Sequence, residues 1–166
     1  MSAILSFDPE HSRTLFDLVV ATLWADGEVA DREFAAARGA QIALGLVHES
    51  DDARVAVARG ARERWRGLAR AGARDRVLAY AAAVWTALAD GRIDPGEARF
   101  LREVRTTLAL EPGGVALAEG LARYVDAASR AERAPFHRAF TRLLREGARR
   151  LEVIHAHLGV GGARAA

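Results

Sequence analysis

Along most of the chain the large apolar residues recur every three or four positions, the spacing that places them on one face of a helix. Leu15, Phe16, Val19, Leu23 and Trp24 form the first such series, opened by Asp8 as N-cap and Pro9 at the first helical position and closed at Asp26-Gly27. A second helix is predicted from about Ala30 to Leu44, with Gly45 as the glycine just past its end. Ser50-Asp51-Asp52 can cap a third, arginine-rich helix that reaches about Arg70 and is broken by Ala71-Gly72. The cleanest stripe is Val77, Leu78, Ala81, Val84, Trp85 and Leu88, in a helix from about Arg74 to Ala89 that again stops at Asp-Gly. A fifth helix runs from Pro95 to about Leu110, with Phe100, Leu101, Val104 and Leu108 inward and Glu111-Pro112-Gly113-Gly114 after it.

Two more helices, about Val115 to Arg130 and Pro135 to Leu158, carry Leu117, Leu121, Tyr124, Phe136, Phe140, Leu143, Leu144 and Ile154. No segment alternates with the period of a strand. The pattern predicts an all-α, single-domain bundle of about seven helices over residues 8–158, followed by a glycine-rich disordered tail, 159–166.

Composition narrows the chemistry. Apolar residues are 51% of the chain, much of it alanine, so helices must pack closely rather than bury many large side chains. With no cysteine, disulfides, thiolate catalysis and cysteine zinc sites are excluded. The N-terminus lacks the basic and apolar regions of a signal peptide, and the longest uncharged apolar stretch, Val77 to Ala89, is shorter than the roughly 20 residues of a spanning helix. The expectation is a cytoplasmic protein without a transmembrane segment.

All 24 basic residues are arginine, which lifts the pI to about 9.9 although the net charge is only +2. Charge is unevenly placed: residues 1–50 hold eight acids and three arginines, residues 54–76 eight arginines and two acids, and residues 130–150 seven arginines and two acids. The basic stretches lack the interleaved aromatic residues that stack on bases, so composition argues against a nucleic-acid partner and for solvated helix faces. An arginine-rich binder of anionic surfaces or nucleic acid stays as the alternative.

The two Asp-Gly turns belong to a repeat with an offset of 64 residues. Trp24-Ala25-Asp26-Gly27-Glu28-Val29 with Glu33 aligns with Leu88-Ala89-Asp90-Gly91-Arg92-Ile93 with Glu97, and Leu44-Gly45-Leu46 aligns with Leu108-Ala109-Leu110. At these residues, over about 15–110 and most strongly 74–110, the chain resembles the TerB and TerB-like domains of tellurite resistance. The resemblance implies a cytoplasmic helical bundle of two pseudo-symmetric halves, a link to tellurite resistance and related stress systems, metal binding through acidic residues, and protein partners near membranes. Carried over by position, the implied acidic residues are Asp26 and Glu33 in the first turn and Asp90 and Glu97 in the second.

The residues themselves support two readings of the turns. Asp26, Glu33 and Asp31 or Glu28, with a sister set of Asp90, Asp94 and Glu97, are the oxygen donors that a hard cation such as calcium or magnesium takes. The spacing Asp-Gly-x5-Glu matches the second half of an EF-hand loop, but Thr22, Trp24, Thr86 and Leu88 stand where its first ligands would be, so any affinity should be weak. Alternatively the acids only cap helices. Asp94-Pro95-Gly96-Glu97 reads as a capping box, whereas Ala30 at the equivalent N-cap has no side-chain acceptor and leaves Glu33 less explained. His155 and His157, two apart, make a poor ligand pair on a helix; His11, His48 and His137 are isolated, and no catalytic triad or phosphate loop is present. Trp24, Trp65 and Trp85 read as core or groove-lining residues, with Trp65 the candidate for exposure among arginines. The function expected is therefore non-enzymatic, with no organic cofactor, and a homo-oligomer is compatible with the sequence.

Overall fold

A computed structural model describes residues 9–27, 29–46 and 61–159. Seven helices follow in order: α1 Pro9–Leu23, α2 Asp31–Ala43, the one-turn α3 Ala61–Arg64 that tightens into a 3-10 helix Trp65–Arg70, α4 Ala73–Ala87, α5 Pro95–Thr107, α6 Pro112–Glu132 and α7 Phe136–Gly159. There is no strand among the described residues, and no described helix is long and apolar enough to cross a membrane. The capping set at 50–52, Asp8, His48 and the tail 160–166 lie outside the described residues.

Helix α4 is the axis of the bundle. Its three-four stripe predicts a single buried face, but Leu78 through Ala87 is buried on every side. The reason is its alanines: Ala79, Ala81, Ala82, Ala83 and Ala87 let α1, α2, α5, α6 and α7 approach closely around it. Thr86, fully buried within this ring, returns its hydroxyl to the Ala82 carbonyl at 2.8 Å.

Aromatic residues fill the ends of this core. Trp85 meets Phe140 and Phe136 of α7 edge-on, with ring centroids 5.5 and 6.1 Å apart. Trp65 meets Phe100 of α5 at 5.6 Å. Trp65, the candidate for exposure, is a core residue like Trp85: it is fully buried, because the chain enters the 3-10 turn there and aims the indole inward while the neighbouring arginines stay in solvent. Burying a side chain of this size contributes on the order of 2–3 kcal/mol. The short helix is pinned to α1 by a two-point ion pair from Arg64 to Asp17 at 2.8 and 2.9 Å. Tyr124 and Ile154, among the large residues of the last two helices, are exposed at 45% and 41%. Both lie at the margin of their helices' apolar stripes, where α6 and α7 leave solvent access.

The 64-residue repeat recurs in the backbone hydrogen bonds that close its helices. Leu44 and Leu108 end their helices with amides on Ala40 and Val104, and Leu46 and Leu110 return theirs to Gln41 and Arg105 at 3.0 and 3.1 Å. These are matching Schellman closures around Gly45 and Ala109, at φ 74° and 47°. Gly27 and Gly91 occupy the same left-handed conformation, φ 92° and 105°, which carries each chain out of the first helix and into the turn. The bundle thus consists of two equivalent hairpins, α1–α2 and α4–α5, buttressed by α6 and α7.

Candidate functional site

The hairpins bring their acidic turns together. Gly96, at the start of α5, lies so close to the first turn that a Cβ there would stand 3.0 Å from the Cα and Cβ of Asp26. Glu33, from the first hairpin, is buried within the field of Asp26, Asp90 and Asp94; Glu97, from the second, is buried within the field of Asp94, Glu33 and Asp90. Five carboxyl groups from two turns therefore share one junction. Asp31, the first residue of α2, is exposed and is not among the groups acting on Glu33. Glu28 lies outside the described residues, as do the side chains of His155 and His157.

The two glutamates perform the same local task. Glu33 Oε2 accepts the Ala30 amide at 2.7 Å, and Glu97 Oε2 accepts the Asp94 amide at 2.9 Å. The second turn adds the other half of a capping box, with Asp94 Oδ1 accepting the amides of Gly96 and, at 3.0 Å, Glu97. In the first turn Ala30 cannot do this, yet Glu33 is accounted for, because the return bond to the N-cap amide needs no side chain at the cap. Asp90 Oδ1 closes its own turn on the Arg92 amide at 2.9 Å.

Burial sets the protonation. Desolvation raises Glu97 to about 8, against the opposing Asp94 amide and with the help of the charges on Asp94, Glu33 and Asp90. Desolvation also raises Glu33, and Asp26, Asp90 and Asp94 add to it against the Ala30 amide. Asp94 moves the other way: the amides of Glu97 and Gly96 hold it down. With Glu97 raised to about 8, the junction keeps a proton at neutral pH. One oxygen of the pair remains unanswered: Glu97 Oε1 is buried with no hydrogen-bond donor from the protein.

Chemically, such a junction can hold a proton or exchange it for a cation, since both relieve the same crowding of negative charge. Among the described residues no three carboxyl or imidazole groups already converge as a ligand set. A cation would be met by Glu97 Oε1 and by rotation of the neighbouring carboxyls. A groove of about 360 Å³ lined by Ala25, Gly96, Phe100, Arg66 and Arg99 opens beside the contact between the turns.

Sequence reasoning missed two residues here. A carboxylate at a helix C-terminus is disfavoured by up to about 1 kcal/mol, and at the second turn the compensation comes from Arg130 of α6. Its guanidinium donates to the carbonyls of Leu88 and Ala89 at 2.7 and 3.3 Å while pairing with Asp126 at 2.9 Å. Nothing local to the turn signals a partner some forty residues downstream. Gly96 did carry a signal, a glycine inside a capping box where helix formers are preferred, and close approach by the other turn explains it.

Fold and site together define an all-helical protein built on a duplicated acidic hairpin whose two turns face each other. No protein-family profile, curated protein or solved structure matches the chain.

Proposed function

We propose that the chain is a non-enzymatic, TerB-like helical module that holds a hard divalent cation, calcium or magnesium, weakly at the junction of its acidic turns and docks on protein partners in the cytoplasm. The observation that carries this reading is the meeting of the two turns around Glu97 Oε1, a buried carboxyl oxygen with no donor. Unsatisfied buried oxygens are costly, and a hard cation is the ligand that oxygen donors crowded in this way would accept. Asp26, Glu33, Asp90, Asp94 and Glu97 would hold it. Because amides already occupy Glu33 Oε2, Glu97 Oε2 and Asp94 Oδ1, the dissociation constant is expected on the order of 10⁻⁴ to 10⁻³ M. Tellurite resistance and other stress responses are the physiological setting that the resemblance suggests.

The competing reading, a structural adaptor whose acids only cap helices, draws on those same amide bonds. A calcium or magnesium titration followed by NMR separates the two. Cation binding shifts the resonances of Asp26 and Asp90 together and saturates, and Asp26→Asn with Asp90→Asn abolishes the shifts. If the acids only cap, neither residue responds, and the two variants lower stability equally with and without metal.

A further inference from the structure

The longest helix, α7, presents Arg138, Arg142, Arg145 and Arg149 within an arc of roughly 60°, since successive residues advance by about 100°. That arc lies opposite the buried Phe140, Leu143, Leu144 and Ala148. Arg138, Arg145 and Arg149 are exposed, and none has an ion-pair partner among the described residues. The row steps along the helix axis at intervals of about 4.5–6 Å. Nearby acids are mostly engaged: Glu132 with Arg142 at 2.9 Å and Glu152 with Arg74 at 3.3 Å, leaving the partly buried Glu146.

Beside this row stands Tyr124 of α6, 45% exposed, its ring 5.0 Å from the Arg150 guanidinium carbon and 5.9 Å from that of Arg142. The two guanidiniums lie over the ring, and nearly half of the side chain's surface stays open to solvent, where a base could meet it. The arginine-rich stretch on its own has no such platform; the fold supplies one from the neighbouring helix. A row of uncompensated guanidiniums beside an exposed aromatic ring is the pairing that single strands recognise, phosphates on the charges and an unpaired base on the ring. Double helices hide their base faces from such a ring.

We propose that this face of α6 and α7 binds single-stranded nucleic acid, with Arg138, Arg145 and Arg149 tracking phosphates and Tyr124 stacking on a base. The proposal does not depend on the cation site. It is tested by fluorescence anisotropy of the full chain with a labelled single strand of about 16 nucleotides, at about 50 and about 200 mM salt. Binding should weaken with salt, and Arg138→Gln/Arg145→Gln/Arg149→Gln should flatten the log–log salt slope by about 2, at about 0.7 per lost phosphate contact. Tyr124→Ala should weaken binding roughly 5- to 100-fold, while Tyr124→Phe, which keeps the ring, binds like the unmodified chain. Thermal melting by circular dichroism confirms that each variant is folded. The proposal is overturned by absence of binding at the lower salt, by an unchanged slope in the triple variant, by tighter binding of a duplex of equal length, or by a Tyr124→Ala variant that binds normally. The last outcome, with equal competition from anionic lipid vesicles, would mark the row as a membrane-facing surface instead.

Discussion

The α1–α2 and α4–α5 hairpins share a hydrogen-bond plan and differ in what surrounds it. At equivalent positions α2 has Gly39 and α5 has Glu103. A Cβ on Gly39 would stand 2.5 Å from Phe136 Cβ and 2.7 Å from the His137 amide nitrogen, so α2 is covered by the start of α7. Glu103 is open to solvent and pairs with Arg66 at 2.7 Å. At the helix starts Asp94 caps and Ala30 cannot; at the helix ends Gly45 takes the left-handed conformation freely and Ala109 takes it with strain. What both copies keep is the buried glutamate closing on the N-cap amide and the glycine that follows the turn aspartate. The common features build the junction of the turns, and the differing ones adapt each copy to its neighbours.

That contrast is open to direct tests. The largest effect should come from Gly39→Val, which forces a branched side chain into backbone that cannot yield and should destabilise the fold by about 3 kcal/mol, against a change within about 0.5 kcal/mol for Glu103→Val; urea unfolding measures both. Next is the buried glutamate. Between pH 4.5 and about 8 folded Glu97 holds a proton that the unfolded chain has lost, so its contribution to stability declines as pH rises through that window. Glu97→Gln, a neutral mimic, should remove that slope and stabilise the protein at pH 8, with Glu33→Gln acting in the same direction and less. A slope that survives Glu97→Gln places the titrating group elsewhere.

The caps give smaller and opposite effects in the two copies. Asp94→Ala should cost about 1 kcal/mol, while Ala30→Asp, at a residue with the same extended backbone, should gain up to about 1 kcal/mol by completing the first box. Smallest is the exchange at the helix ends, where Ala109→Gly should raise the melting temperature and Gly45→Ala lower it, each by about 1 kcal/mol or less of stability. Equal signs for either pair would mean that the copies are not adapted as described.

Much of this was legible in the residues. Periodicity located six of the seven described helices, since each has its own stripe or cap, and the two Asp-Gly turns disclosed the repeat. The third, expected as one long helix to about Arg70, is α-helical only over Ala61–Arg64 among the described residues and 3-10 from Trp65 to Arg70. The capping box could be read because all its members lie within four residues. Harder to read was anything made across the fold. The all-round burial of α4 depends on five neighbouring helices, and the inward turn of Trp65 on a 3-10 segment inside an arginine-rich run. The cover supplied by Arg130 and the contact of Gly96 with Asp26 join residues far apart in the chain. The sequence identified the carboxyl groups of the junction except that it included Asp31, whose position at the first turn of α2 faces it to solvent. Whether the turns met depended on how the hairpins dock, which no local pattern encodes.

The central claim is that two turns make one junction with a buried acid at its heart, and a carbon-13 NMR titration of the glutamate and aspartate carboxyls, with and without magnesium, reads it directly. Glu97 should titrate near 8 in the absence of the cation and at lower pH in its presence, with Glu33 moving in the same direction. A Glu97 that titrates near 4.5 in both conditions, independently of Glu33, would contradict the account.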